Sequence, residues 1–150
     1  MISLEIALPV SNVVIDSPAA TLPEAIDKAV AILKNDARIL DWTGLHAAIW
    51  EREAKSPTNL GRGLLLPHAR GEFTSALVLS CVRLRQPLPA EGSPIQVVLA
   101  VAIPSSMTAE YLRIVGALAR VFKDEKNLAL FASLTTSTET RDWLATHCRA

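Results

Sequence analysis

The sequence contains little cysteine and carries no net charge. The first feature argues against a disulfide-rich or cysteine-ligated metal protein, and the second argues against a nucleic-acid-binding protein. Only two of the 150 residues are cysteines, Cys81 and Cys148, and their wide separation fits neither a redox pair nor a metal-binding pair. Fifteen basic and fifteen acidic residues give a formal net charge of zero, so the chain has neither a basic footprint for nucleic acid nor an acidic tail. We therefore expect two free thiols in a reducing cytoplasm and no nucleic-acid partner.

Long apolar runs and metal-binding clusters are missing as well. The start of the chain, Met1 to Glu5, lacks the basic residues and the apolar core of a signal peptide. No segment is long and apolar enough to cross a bilayer. Because no group of His, Cys and Asp residues has the spacing of metal ligands, we expect neither a metal nor another cofactor.

What the sequence does contain is a series of helix signals. Thr21 and Glu24 form a capping box, which predicts that a helix begins here. Asp41 and Thr108 are predicted to cap two further helices, the second with Leu112, Val115, Leu118, Ala119 and Phe122 on its packing face. Shorter helices are predicted at residues 128–134 and 141–147, the last opened by a second capping box at Thr136 and Glu139.

Strand signals lie between the helices. Apolar runs at residues 64–66 and 76–82 predict two strands, and residues rich in proline and glycine from Gln86 to Pro94 are predicted to break the chain. Residues 95–103 contain a single polar side chain, which is typical of a central strand buried on both faces. The alternation predicts one α/β domain over residues 1–150, with a mixed β-sheet flanked by helices.

The decapeptide from Gly61 to Arg70, GRGLLLPHAR, is the segment with the most chemical content. Two glycines open it, three leucines follow, and Pro67 presents His68 at the end of the apolar run. Imidazole is suited to reversible nucleophilic chemistry near neutral pH. The same pattern also fits an edge strand that ends in a hydrogen-bonded surface histidine, because glycine turns before strands are common.

A longer segment around this histidine resembles a known family. Residues 48–70 (AIWEREAKSPTNLGRGLLLPHAR) are similar to the active-site segment of fructose/mannitol-type enzyme IIA domains of the bacterial phosphotransferase system (PTS), including the nitrogen-regulatory IIA-like proteins. The matching features are the Arg52-Glu53 pair, Thr58, both glycines, the Pro67-His68 step and Arg70. A weaker likeness runs from Pro94 to Ala119.

The resemblance implies a phosphocarrier and a role for each matched residue. His68 would accept a phosphoryl group from an HPr-type carrier and pass it to a IIB domain or use it for regulation, in the cytoplasm. Arg52 would neutralise the phosphoryl charge, although an arginine at a helix end is also commonly just solvated. The phosphoryl group would also meet Thr58, Gly61, Gly63 and Tyr111, where the threonine and the glycines fit a simple turn equally well. Arg62 and Arg70 are expected at the rim, facing an acidic donor surface.

The chain departs from the family pattern in three places. Tyr111 stands where many members have a second histidine, Ala69 stands where glycine is frequent, and the turn at residues 56–59 reads SPTN. A tyrosine hydroxyl at a helix N-terminus can donate to a phosphate but cannot add imidazolium charge. A second hypothesis therefore stands beside the phosphocarrier: a regulatory protein-binding module that keeps the fold and acts by docking.

Overall fold

Helices precede, separate and follow the strands along the chain, of which the computed structural model describes residues 3–149. The helices are α1 (Leu4–Ala7), α2 (Leu22–Leu33), α3 (Trp42–Lys55), α4 (Thr108–Phe122), α5 (Glu125–Ser133) and α6 (Ser137–His147), with a 3-10 turn at Val10–Asn12. The strands are β1 (Val13–Ser17), β2 (Leu64–Leu65), β3 (His68–Arg70), β4 (Val78–Leu88) and β5 (Ile95–Ile103).

The strands form one mixed sheet in the order β1-β4-β5-β2, and β3 continues beside β5 where β2 ends. The central pair, β4 and β5, is antiparallel, whereas β1 runs parallel to β4 and both short strands run parallel to β5. In this register His68 lies opposite Val101. The sheet therefore ends in two short segments at the edge where the histidine is found.

Two apolar layers cover the two faces of the sheet. One joins α1, α4, α5 and α6 to the residues of β5 that alternate from Val97 to Ile103. The other joins α2 and α3 to the intervening residues, Val98, Ala100 and Ala102. Since successive side chains of a strand point to opposite faces, β5 is buried on both sides. The predicted single α/β domain with a mixed sheet flanked by helices is confirmed.

The helix starts predicted at Thr21, Asp41 and Thr136 are correct, and a side chain caps the backbone at each of them. The hydroxyl of Thr21 accepts from the Glu24 N–H at 3.2 Å, and the Asp41 carboxylate accepts from the Gly44 N–H at 3.0 Å. Thr136 caps α6 in the same way, at 3.1 Å from the Glu139 N–H. At α4 the prediction was one residue late, because Met107 is the N-cap and Thr108 is already helical. Helix α5 begins at Glu125, three residues before the predicted start, with Asp124 as its cap.

Three other predictions need correction. The first strand, β1, was not predicted, because its five residues include Asp16 and Ser17 and give no clear alternation. Strand β4 does not break at Gln86 but continues through Pro87 to Leu88, with a register shift that takes the proline out of regular pairing. On α4, Leu112 and Ala119 are exposed and Val115 is half-buried, since the packing face is formed by Ile114, Ala117, Leu118, Val121 and Phe122.

Both cysteines are buried, and neither forms a disulfide. Burial raises the pKa of the Cys81 thiol, and likewise that of Cys148, to about 12. Since the thiolate is the reactive form, both side chains serve as small apolar residues of the core.

None of the helices within residues 3–149 combines the length and the apolar character that crossing a membrane requires.

Candidate functional site

The histidine predicted to carry the chemistry begins β3 at the edge of the sheet. His68 is half-buried, while Pro67 before it and Ala69 after it are buried. The Pro67 carbonyl accepts from the Val101 N–H at 3.0 Å, so the backbone is tied to β5 immediately before the histidine. The imidazole is thus presented from a rigid backbone between α3 and α4.

One ring nitrogen of His68 is held by the main chain. Nδ1 lies 2.8 Å from the carbonyl oxygen of Leu66. A carbonyl only accepts, so in this geometry Nδ1 carries the proton and donates it to Leu66. In the neutral ring the lone pair then belongs to Nε2, and this nitrogen is the nucleophilic one.

A cleft of about 430 Å³ opens on the α3 side of the histidine; we call it the α3 cleft. Its cationic side chains are Arg52 and Lys55 from the last turns of α3 and Arg70 from β3. Arg52 Nη1 donates to the Ser56 carbonyl at 2.7 Å, which fixes the direction of the guanidinium. Arg52 and His68 therefore line the same cleft.

A smaller cleft of about 200 Å³, the α4 cleft, opens on the other side of the ring. It is formed by His68 and Arg70 together with Thr108 and Tyr111 of α4, closed by Ile103 and Leu112. The ring of Tyr111 lies 5.0 Å from that of His68, at an interplanar angle of 32°. Arg70 Nη1 donates to the Thr108 hydroxyl at 2.9 Å, so this arginine is fixed between the two clefts.

The charge state of Tyr111 reflects its burial beside the histidine and the nearby charge of Arg52. Burial raises the pKa of the phenol to about 12, and the positive charge of Arg52 offsets part of that rise. Because this pKa lies above the reference value of 10.0, the neutral phenol stabilises the fold fully below pH 10. That contribution is lost as the pH rises through about 12. At neutral pH Tyr111 is therefore an uncharged hydrogen-bond donor.

We expect the phenol of the folded protein to ionise well above pH 10. Tyr111 is the single tyrosine of the sequence, so the ultraviolet absorbance of phenolate reports this residue alone. We expect a midpoint near pH 12, and a higher one in Arg52→Ala because a positive charge beside the phenol has been removed. The same titration in concentrated urea, with a midpoint near the ordinary ~10, is the control. An unchanged midpoint in Arg52→Ala would contradict the proximity of the two side chains.

Thr58 lies beside the site without lining either cleft. Its hydroxyl and its N–H both donate to the carboxylate of Glu53, the N–H at 3.3 Å. Its carbonyl accepts from the Leu66 N–H at 3.0 Å. The side chain predicted to meet a phosphoryl group is thus bonded to the C-terminal turn of α3.

The two glycines lie farther from the histidine. Gly61 and Gly63 adopt φ angles of +76° and +83°, values that favour glycine, and they close the turn between Thr58 and Leu66. A Cβ at Gly63 would lie 2.8 Å from Leu128 of α5. Both glycines line a third cleft of about 370 Å³ with Arg62, remote from the imidazole. They shape the loop that leads to His68, and Arg62 does not share a cleft with it.

For two residues of the motif, Glu53 and Arg70, the sequence did not predict the contacts that the structure shows. Glu53 matches the motif, but the motif does not predict its hydrogen bonds with Thr58, because they depend on how the loop folds back onto α3. Arg70 was assigned to the rim, although it lines both clefts. Residues i and i+2 of a strand share a face, so the His68-Ala69-Arg70 spacing contained the signal for Arg70.

Together these residues form a site that can hold an anionic group at one imidazole nitrogen. The chain belongs to the family described as "Phosphoenolpyruvate-dependent sugar phosphotransferase system, EIIA 2", whose model matches residues 7–146. The predicted family membership is confirmed.

Relatives of two kinds are similar to this chain. The PTS system fructose-specific EIIA component of Haloferax volcanii is 23% identical over 120 residues, 78% of each sequence. The crystal structure of the nitrogen regulatory protein IIA-Ntr from Neisseria meningitidis matches with a TM-score of 0.84 at 22% identity, over 94% of this chain and 98% of that one. Escherichia coli enzyme IIAMTL, solved in complex with phosphorylated enzyme IIBMTL, matches with a TM-score of 0.77 at 20% identity, over 91% and 95%. These structures share the fold of the present chain.

Proposed function

We propose that this chain is a phosphocarrier that receives a phosphoryl group on Nε2 of His68 and passes it on. The observation that carries the proposal is the bond between His68 Nδ1 and the Leu66 carbonyl, at 2.8 Å. It leaves the lone pair on Nε2, at a ring that lines two clefts. Membership of the EIIA 2 family supplies the class of reaction.

The transfer step needs no proton to leave His68. The Nε2 lone pair forms the new bond to phosphorus while the nitrogen–phosphorus bond of the donor phosphohistidine breaks and returns its electron pair to the donor nitrogen. The His68 ring gains positive charge as the bond forms. The Leu66 carbonyl, which accepts from Nδ1–H, stabilises that charge.

Two arginines are placed to stabilise the phosphoryl oxygens. Arg52 and Arg70 line the α3 cleft, and each uses one Nη1 donor on the protein, on Ser56 and Thr108 respectively. A guanidinium has five N–H donors, so further donors remain for a ligand. Because phosphoryl transfer is catalysed mainly by positioning and charge stabilisation, these two side chains supply most of the effect.

Tyr111 and Thr58 have different roles: Tyr111 lines the site, and Thr58 holds the loop. Tyr111 remains protonated at neutral pH and forms the α4 wall of the site, from which its hydroxyl can donate to the phosphoryl group. Thr58 gives its hydroxyl to Glu53, so we assign it to the loop that carries Leu66. Gly61 and Gly63 belong to the same loop.

The partners follow from the reaction. An HPr-type phosphoprotein in the cytoplasm is the proposed donor. A IIB domain or a regulatory target is the proposed acceptor, in line with the IIA–IIB complex of the Escherichia coli relative. The exposed Arg70 and Leu112 of the α4 cleft lie where such a partner would approach His68.

The test is incubation of the protein with phosphoenolpyruvate, enzyme I and an HPr-type carrier, followed by intact-mass analysis. We expect one phosphoryl group per chain, lost on acid treatment because phosphoramidate bonds are acid-labile, and removed when a cognate IIB domain is added. A chain that stays unmodified while the carrier itself becomes phosphorylated would favour the docking module instead.

A further inference from the structure

The carboxylate of Glu53 holds the start of the loop that leads to His68. Glu53 lies in the last turn of α3 and is half-buried. Its Oε1 accepts both from the Thr58 hydroxyl and from the Thr58 N–H, the latter at 3.3 Å. A bond to an ionised carboxylate is stronger than one between neutral groups, so Glu53 is the main anchor of Thr58.

Thr58 in turn holds Leu66 across a hairpin. The Thr58 carbonyl accepts from the Leu66 N–H at 3.0 Å, and Asn59 pairs with Leu65 as an antiparallel bridge. The Leu60 N–H donates to the Leu64 carbonyl at 3.0 Å, next to the glycine turn. A displacement of Thr58 is therefore passed directly to Leu66.

Leu66 has little freedom to compensate for such a displacement. Its side chain is buried, and the residue precedes Pro67, which confines it to extended backbone conformations. The direction of its carbonyl is thus set by the bond to Thr58 on one side and by Pro67 on the other. This carbonyl is the acceptor for His68 Nδ1–H.

We propose that Glu53 is a positioning residue for His68, which selects the Nδ1–H tautomer through Thr58 and Leu66. It acts without touching the reacting atoms. Its consequence for phosphoryl transfer rests on the proposed function, because the selected tautomer is the one with its lone pair on Nε2. Arg52 holds the same loop at Ser56, so the loop keeps one anchor when Glu53 is replaced.

The test measures the tautomer of His68 directly. Protein labelled with ¹⁵N is studied by long-range ¹H–¹⁵N NMR of the imidazole at pH 9, well above the ordinary histidine pKa of about 6.5. We expect the wild type to show His68 protonated at Nδ1 alone. In Glu53→Ala we expect the Nε2–H form to rise several-fold, because the Leu66 carbonyl no longer keeps its direction.

Two further variants make the result specific. Thr58→Val removes the hydroxyl donor and keeps the N–H bond, so we expect a smaller shift of the same kind. Glu72→Ala is the matched control: Glu72 also accepts from a loop hydroxyl, that of Ser105 at 2.8 Å, but has no link to Leu66. The wild-type tautomer is expected there. Where phosphoryl transfer is measurable, Glu53→Ala should lower its rate ~10-fold or more with unchanged binding of the carrier.

The two proposals fail in different ways. A Glu53→Ala protein that is folded and keeps only the Nδ1–H tautomer would overturn the role of Glu53, as would an equal shift in Glu72→Ala. The tautomer measurement needs no phosphoryl donor. A wild type that shows the expected tautomer and accepts no phosphoryl group would therefore contradict the proposed function and still support the positioning role.

Discussion

We expect the replacement of His68 with alanine to abolish phosphorylation of the chain and to leave the fold intact. His68 and Arg70 line both clefts, and of these two side chains the imidazole is the nucleophile, because a guanidinium offers no available lone pair. The ring is half-buried and makes one hydrogen bond, so we expect the loss of stability to be small, about 1 kcal/mol. Intact-mass analysis after incubation with the phosphoenolpyruvate-driven carrier system measures the first effect, and thermal unfolding measures the second.

The other two histidines are the matched controls. His46 of α3 forms a hydrogen bond with Asp27 of α2. His147 stacks on Trp143, and both residues lie in α6. We expect His46→Ala and His147→Ala to accept a phosphoryl group as the wild type does. A His68→Ala protein that still forms an acid-labile adduct, or a loss of the adduct in either control, would place the acceptor elsewhere.

We expect the second largest effect when Arg52 and Arg70 are removed together. Each guanidinium is fixed by a hydrogen bond to the protein and lines the cleft in which we propose that the phosphoryl group is held. Loss of one fixed donor to a transition-state charge typically lowers a rate by about 10²-fold or more. We expect about 10² for Arg52→Ala and at least about 10³ for the double variant. Rapid-quench kinetics with phosphorylated carrier measures these rates.

A distant arginine separates this effect from a general loss of positive charge. Arg85 of β4 forms an ion pair with Asp16 of β1, and neither residue lines the α3 cleft or the α4 cleft. We expect Arg85→Ala to transfer at the wild-type rate, and a comparable slowing there would mean that overall charge, rather than the site, controls the reaction. If Arg70→Ala alone has no effect on the rate, this residue belongs to the rim, as the sequence first suggested.

The parts of the fold that could be predicted are those set by local chemistry. The capping side chains of Thr21, Asp41 and Thr136 identify helix starts, because each satisfies a backbone donor within three residues. The almost wholly apolar character of residues 95–103, which contain one polar side chain, identified the central strand with its bounds. Strand β1 and the continuation of β4 through Pro87 depend on pairing between distant segments, and no local pattern encodes them.

The same distinction between local and long-range features applies to the site. His68 and Arg52 could be predicted from the motif, and the structure places them in one cleft. Three other features arise where separate segments meet in space. They are the hydrogen bond between Thr58 and Glu53, the position of the glycines in a third cleft, and the hydrogen bond that fixes Arg70 to Thr108. Sequence spacing gives the residue types of such contacts but not their partners.

We propose that Nε2 of His68 carries the phosphoryl group while Nδ1 keeps its proton and donates it to the Leu66 carbonyl. Long-range ¹H–¹⁵N NMR of the ¹⁵N-labelled, phosphorylated protein tests it most directly, since coupling to ³¹P identifies the bonded nitrogen. We predict a single phosphohistidine, linked through Nε2, with Nδ1 still protonated. A phosphoryl group on Nδ1, or on a residue other than His68, would contradict the account.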